Sequence, residues 1–392
     1  MASRNLAYVS SAMLKWARGE TPFDDLETVA AKTHINIKEL EEWEEGEALP
    51  SITNAKKLAF LYDVPLACFF LSNPPEKKLR PYVDRRTSFG AREKTISYKL
   101  WHEMRNAMFN REAAVELLSD ETKRLFTVPS VTTTDSVEAI ATVIRTFLDI
   151  KLPFKYKNEY SNNAFNYFRD LIEKKGIMVT QLMGIEKDEI RALSIYFETM
   201  PIIAINGKDW ERSKVFSLFH EMAHLIRRSS SLCSISFDNY DDAEESICNN
   251  IAAATLLPEK EFRIISSKYF SSFQEWNDLC LVKIADCFGT STSVVLRRLF
   301  KLEIITPEYF YQRLSAMRED FNNNSTTKKG EFKVEYHYKY LSKEGRLFPR
   351  VILSAYSRGA LSYGEMCRTL NLNPIHIGNI ERGFSHILGL DD

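Results

Sequence analysis

Two histidines four residues apart, His220 and His224, interrupt an apolar run that begins Val215-Phe216-Ser217-Leu218-Phe219 and ends Leu225-Ile226. On an α-helix, side chains at that spacing lie one above the other on one face. Both imidazoles can then reach one metal ion, with Glu221, the residue after the first histidine, close beside it. Zinc suits imidazole and carboxylate ligands in a tetrahedral site, and a catalytic zinc keeps one position for water. Glu221 is the expected catalytic base for that water, passing its proton to a leaving amine while zinc polarises the scissile carbonyl. The helix is expected to open near Asp209, an N-cap candidate. The bland alternative is a pair of packed histidines with no metal.

A site of this kind needs a third ligand. The chain has seven histidines, and His337, His376 and His386 lie far downstream, beyond a polar stretch. Nearer are Asp238, Asp241, Asp242, Glu244 and Glu245. Asp241 and Asp242 read as the acids that open a helix running to Leu257 and stopping at Pro258. On it Glu245, Cys248, Asn249 and Ala252 share a face, and Ala252, Ala253 and Ala254 permit close approach to the histidine helix. Glu245 is favoured over Glu244, for which a solvated helix-start charge is the simpler role. Cys233 and Cys248 are expected to be buried, unpaired thiols. Tyr240, Arg191 and Arg212 are left without an assigned part in catalysis.

The surrounding pattern is α+β and mainly helical. A helix carrying Phe165, Phe168, Leu171 and Ile172 stops at Gly176. Three short β-rich runs follow, Ile177 to Thr180, Arg191 to Phe197 and Pro201 to Asn206. Upstream, Tyr98 to Leu118 and Ser136 to Leu148 have helical periodicity. The 392 residues divide as follows. Residues 1–72 form a small helical unit and 73–160 a helical connector with a basic segment. Residues 161–318 are the peptidase-like core, 319–331 a polar linker, and 332–392 a second small helical unit. In the last, Val334 to Tyr340 alternates like a strand, Leu347 to Tyr356 reads as a helix, and Leu361 to Leu370 with Pro374 to Ile380 as two helices joined by a turn.

In the first unit, short helices around Leu26–Ala30 and Leu40–Trp43 are joined by a turn at Thr33 to Asn36, and a third opens at Pro50 and Ser51. That is a helix-turn-helix arrangement. The stretch Trp43-Glu44-Glu45-Gly46-Glu47-Ala48-Leu49-Pro50 resembles the W-E-x-G-x-x-x-P signature of Xre/Cro-like units, which implies operator DNA as a partner. Charge argues the other way. Residues 37–47 hold six glutamates against one lysine, and phosphates repel such a helix. Protein contact is the preferred role, with DNA the alternative. Residues 77–105, with nine Lys/Arg and three Asp/Glu, reverse the sign and read first as a solvated face.

A second resemblance covers about residues 5–315. Glu245-Ser-Ile-Cys-Asn-Asn-Ile-Ala-Ala-Ala-Thr-Leu-Leu-Pro258 is similar to the E-x-x-A-N-x-F-A-x-x-L-L-x-P helix of ImmA/IrrE metallopeptidases. Ile202 to Asn206, Arg212 and the lead-in to His220 resemble the same family's I-x-x-N, arginine and F-T-L-A-H-E-x-G-H. Cys248, Ile251 and Ala223 depart from the family's usual alanine, phenylalanine and glycine. The resemblance implies a zincin-like core with His220, His224 and Glu245 as zinc ligands. It further implies limited cleavage of a regulatory protein, such as a repressor or operon partner. An extended substrate is expected at a free sheet edge, with Pro201 to Asn206 the natural candidate. The alternative function is a DNA-binding regulator or antitoxin-like protein with a vestigial or structural zinc site. The net charge of -1 gives no general pull towards nucleic acid, and no apolar run reaches the length of a membrane span. Six scattered cysteines without a CxxC pair suggest a reducing cytoplasm.

Overall fold

The computed structural model describes residues 5–23, 25–75, 97–132, 134–151, 163–228, 231–233, 243–273, 275–323 and 336–378. They divide into two compact units, one built from the residues up to 75 with 97–108, the other from residue 109 onward. Among the described residues no single helix is long and apolar enough to cross a membrane.

The first unit contains α1 (Ser11–Gly19), α2 (Leu26–Thr33), α3 (Ile37–Glu45), α4 (Ile52–Leu61) and the start of α5 (Tyr98–Leu117). Local chemistry sets its boundaries. Asp25, Asn36 and Ser51 cap α2, α3 and α4 through side-chain oxygens that accept from Thr28, Lys38 and Asn54 backbone N–H groups. Gly46 ends α3 in the left-handed conformation at φ 81°. Leu14, Val29, Leu40, Trp43, Leu58 and Phe69 fill the core. Arg18 reaches from α1 to Glu44 on α3 through two hydrogen bonds of 2.8 and 2.9 Å. Glu41, Glu42, Glu45 and Glu47 stay exposed.

The second unit holds α6 (Asp120–Leu125), α7 (Val137–Leu148) and α8 (Ala164–Lys174), then β1 (Met178–Leu182), β2 (Ala192–Ile195) and β3 (Ile202–Asn206). Next come α9 (Glu211–Ile226), β4 (Ser231–Cys233), α10 (Ala243–Leu256), α11 (Glu259–Phe273), α12 (Asp278–Phe288), α13 (Thr292–Lys301) and α14 (Pro307–Asn323). The last α-helices among the described residues are α15 (Tyr336–Glu344), α16 (Leu347–Ser357) and α17 (Tyr363–Thr369). The fold class is α+β, as expected. Its sheet has the order β1-β3-β2-β4, with β1 parallel to β3 and the other pairs antiparallel.

That order corrects one expectation. Residues 201–206 do not form a free edge, because β3 lies between β1 and β2. Its Ile-Ile-Ala-Ile-Asn sequence is buried throughout, as suits a strand covered on both faces. The edge strands are β1 and β4, and β4 was not expected at all. Gly176, before β1, adopts φ 81°, and a Cβ there would run into the Phe126 ring. Only glycine satisfies both conditions.

Two further corrections concern the tail. The strand expected over Val334 to Tyr340 is helical from Tyr336 onward, with residues 334 and 335 outside the described set. Alternation misled because His337 and Leu341, four apart, form the buried face, while Tyr340 donates its hydroxyl to the Leu370 carbonyl at 3.0 Å. The linker expected from residue 319 begins no earlier than 324, since α14 continues to Asn323. Each added residue of a growing helix gains a hydrogen bond without a new nucleation cost. Residues 379–392, including part of the last expected helix, lie outside the described residues.

The tail is held against β1 by buried charges. Arg169 on α8 donates to the carbonyls of Val179, Leu341, Ser342 and Lys343, and the Glu173 carboxylate accepts from the Arg346 N–H at 2.9 Å. Burial pushes the Glu173 carboxyl up and the Arg169 guanidinium down, with their mutual attraction opposing both shifts. Gly345, at φ 78°, lets the chain pass so close to Glu173 and Val179 that a side chain would not fit.

Candidate metal centre

α9 is the middle of the second unit. Every residue from Lys214 to Ile226 is buried, so beyond its first turn this helix has no solvated face. Phe219 packs edge-on against Phe168 of α8 at 5.0 Å between ring centroids. Asp209 is not its N-cap. The Asp209 carboxylate accepts from the Trp210 N–H at 2.9 Å, one residue too early, and Trp210 takes the cap position. Asn206, at the end of β3, fixes the approach to the helix. Its side-chain amide donates to the carbonyls of Ile185, Glu186 and Ile190, and its oxygen accepts from the Lys208 N–H.

α10 lies along α9 and brings its first turn to the histidines. Ala252 and Ala254 are buried, and their small side chains suit this close approach. Two arginines take the last carbonyls of α10, Arg145 reaching Ala254 at 2.9 Å and Arg298 reaching Leu257 at 3.0 Å just beyond it. Their part was not legible beforehand, since both are distant in sequence and only the fold brings them to a helix end whose carbonyls need donors.

His220 Nε2 and His224 Nε2 stand 3.2 Å apart. The Glu245 carboxylate lies 3.1 Å from His220 Nε2 through one oxygen and 3.4 Å from His224 Nε2 through the other. His220 is fully buried, His224 nearly so, and Glu245 is about one-third exposed at 32%. Burial pushes the Glu245 carboxyl up, but hydrogen bonds from both histidines outweigh it and hold the group far below the usual carboxylate range. Glu221 is also fully buried. Two imidazoles and the Glu245 carboxylate so placed can gather around a metal ion, since the donor atoms of His220, His224 and Glu245 lie within 4.8 Å of one another.

Residues 172–300 match the IrrE N-terminal-like domain of peptidase family M78. The M78 match runs from the end of α8 to α13 and includes His220, Glu221, His224 and Glu245. It supports a peptidase. No curated protein and no solved structure matches the chain.

The remaining sequence candidates separate clearly. Glu244 is paired with Arg227 through two hydrogen bonds of 2.7 Å. Arg212 pairs with Asp286 on α12, a role in packing. Cys248 is buried, and burial pushes its thiol well above the usual range. Asp238, Tyr240, Asp241 and Asp242 lie outside the described residues.

Proposed function

We propose that the chain is a zinc-dependent endopeptidase that makes limited cuts in a regulatory protein. The reading rests on one observation above the others, the convergence of His220, His224 and Glu245 beside a buried Glu221. Buried ionisable groups are costly unless paired or bound to a metal, and His220, Glu221 and His224 are all buried. Its donors, two imidazoles and a carboxylate, suit catalytic zinc. Zinc held there would acidify water and polarise the scissile carbonyl. Glu221 would accept the proton from the attacking water and deliver it to the leaving amine.

The substrate is a repressor or operon partner of the same cytoplasm, bound as an extended segment along β4. Of the two edge strands, β1 faces α15, where Gln181 and Thr180 donate to the Ser342 and Lys343 carbonyls. β4 pairs with β2 alone among the described strands and so offers the other side to an added strand. The N-terminal unit, with the exposed acids of α3, serves protein contact.

The test is co-expression of wild type or Glu221→Gln with regulators encoded beside this chain. The expected result is one discrete cut in one partner, seen by intact-mass measurement and absent with Glu221→Gln. Equal cleavage by both proteins would contradict the assignment of Glu221.

A further inference from the structure

α10 begins with two adjacent carboxylates that face different partners. Glu245 meets the two histidines, whereas both oxygens of Glu244 are taken by Arg227, just past the end of α9, at 2.7 Å each. A guanidinium fork on a carboxylate is among the strongest hydrogen-bonded pairs and fixes direction as well as distance. Glu244 is nevertheless close to the centre. One of its oxygens, a ring nitrogen of His224 and Cys248 Sγ all lie within 4.8 Å of one another. Cys248 Sγ itself is 3.9 Å from Glu244 Oε1. Imidazole, carboxylate and thiolate are all zinc ligands. The fold therefore holds two overlapping sets of three donors that share His224. One is nitrogen and oxygen only; the other contains sulfur.

We propose that Arg227 chooses between them. By clamping Glu244 it closes the His224–Glu244–Cys248 set and leaves Glu245 as the carboxylate that faces the metal. The proposal rests on the zinc reading above. It explains why neighbouring glutamates on one helix turn have different surroundings, and it gives Arg227 a task that packing alone does not require. Released from the clamp, Glu244 becomes a ligand, and a metal bound with Cys248 moves away from the Glu245 side of His224.

Cobalt(II) is the probe, because a thiolate ligand gives it a near-ultraviolet charge-transfer band that nitrogen and oxygen ligands do not. Full-length metal-free wild type, Glu245→Ala and Arg227→Gln/Glu245→Ala are titrated, with circular dichroism to verify folding. Wild type is expected to bind about one cobalt per chain without the band. Glu245→Ala loses affinity by at least about tenfold. The double variant regains binding and shows the band, which Cys248→Ser then removes. Arg227→Lys in the Glu245→Ala background keeps the charge but not the two-point clamp and carries the same test if the glutamine variant does not fold; it too is expected to regain binding. A folded double variant that binds no better than Glu245→Ala overturns the proposal. So does a thiolate band in Glu245→Ala with Arg227 intact. Wild type that binds no cobalt is a different failure, that of the zinc reading itself.

Discussion

His220 Nε2 and His224 Nε2 stand 3.2 Å apart on consecutive turns of α9, with Glu245 closing the third side. A site already gathered in this way needs little rearrangement to take a metal, so binding energy goes into stability of the folded state. Zinc at a hundredfold excess over its dissociation constant is expected to stabilise wild type by about 2.7 kcal/mol, read as a rise in melting temperature. Glu245→Ala is expected to show little of that rise. An equal rise in both proteins would mean that zinc stabilises the fold from elsewhere.

Arg169 and Glu173 are both buried, at 3% and 2% exposure, and they tie the tail to β1. Removing one partner of such a pair leaves an uncompensated charge, which costs about 3–5 kcal/mol. Arg169→Ala is therefore expected to lower stability by that order in chemical unfolding. Replacing both residues with apolar ones should recover part of the loss. A loss below about 1 kcal/mol would show that the tail is held by other contacts.

Gly176 combines a left-handed backbone with a steric demand, since Phe126 occupies the space where a side chain would begin. Gly176→Ala is expected to cost about 1–3 kcal/mol, beyond the ordinary effect of glycine on the unfolded chain. Thermal melting of the purified variant checks this. An unchanged melting temperature would contradict the close packing of Phe126 on this turn.

The exposed face of α3 carries Glu41, Glu42 and Glu45, with Glu47 exposed just beyond its end. If this helix were a DNA reader, its affinity would come mainly from phosphate neutralisation, which these residues oppose. Full-length protein is expected to show no operator-range affinity by fluorescence anisotropy at 150 mM salt, roughly physiological ionic strength. Replacing Glu41, Glu42 and Glu45 with lysine should create weak, strongly salt-dependent binding. Tight sequence-specific binding by wild type would return the N-terminal unit to gene regulation.

Much of the site region could be read from local patterns, for physical reasons. The i, i+4 histidines and the small residues of α10 report one helix face each, and a face is a local property. Caps such as Ser51 and Asn36 are likewise local, because an N-cap side chain bonds to its own first turn. What escaped notice depends on distant residues meeting. The interior position of β3 follows from pairing with β1 and β2, and no feature within Ile202–Asn206 distinguishes an interior strand from an edge with certainty of partner. β4 is three residues long, too short for periodicity to register. Arg145, Arg298 and Arg227 meet acceptors 109, 41 and 17 residues away in sequence, so no local pattern reveals them. The tail misled in a different way, since tyrosines two apart satisfy a strand pattern while His337 and Leu341 define the helix.

The most direct measurement is the metal content of purified wild type, Glu221→Gln and Glu245→Ala by plasma mass spectrometry after metal-replete preparation. The account predicts about one zinc per chain in wild type and in Glu221→Gln, since Glu221 is the base and not a ligand, with marked loss in Glu245→Ala. Folded wild type without zinc would contradict it, and would turn attention to a regulator or antitoxin-like role for the terminal helices.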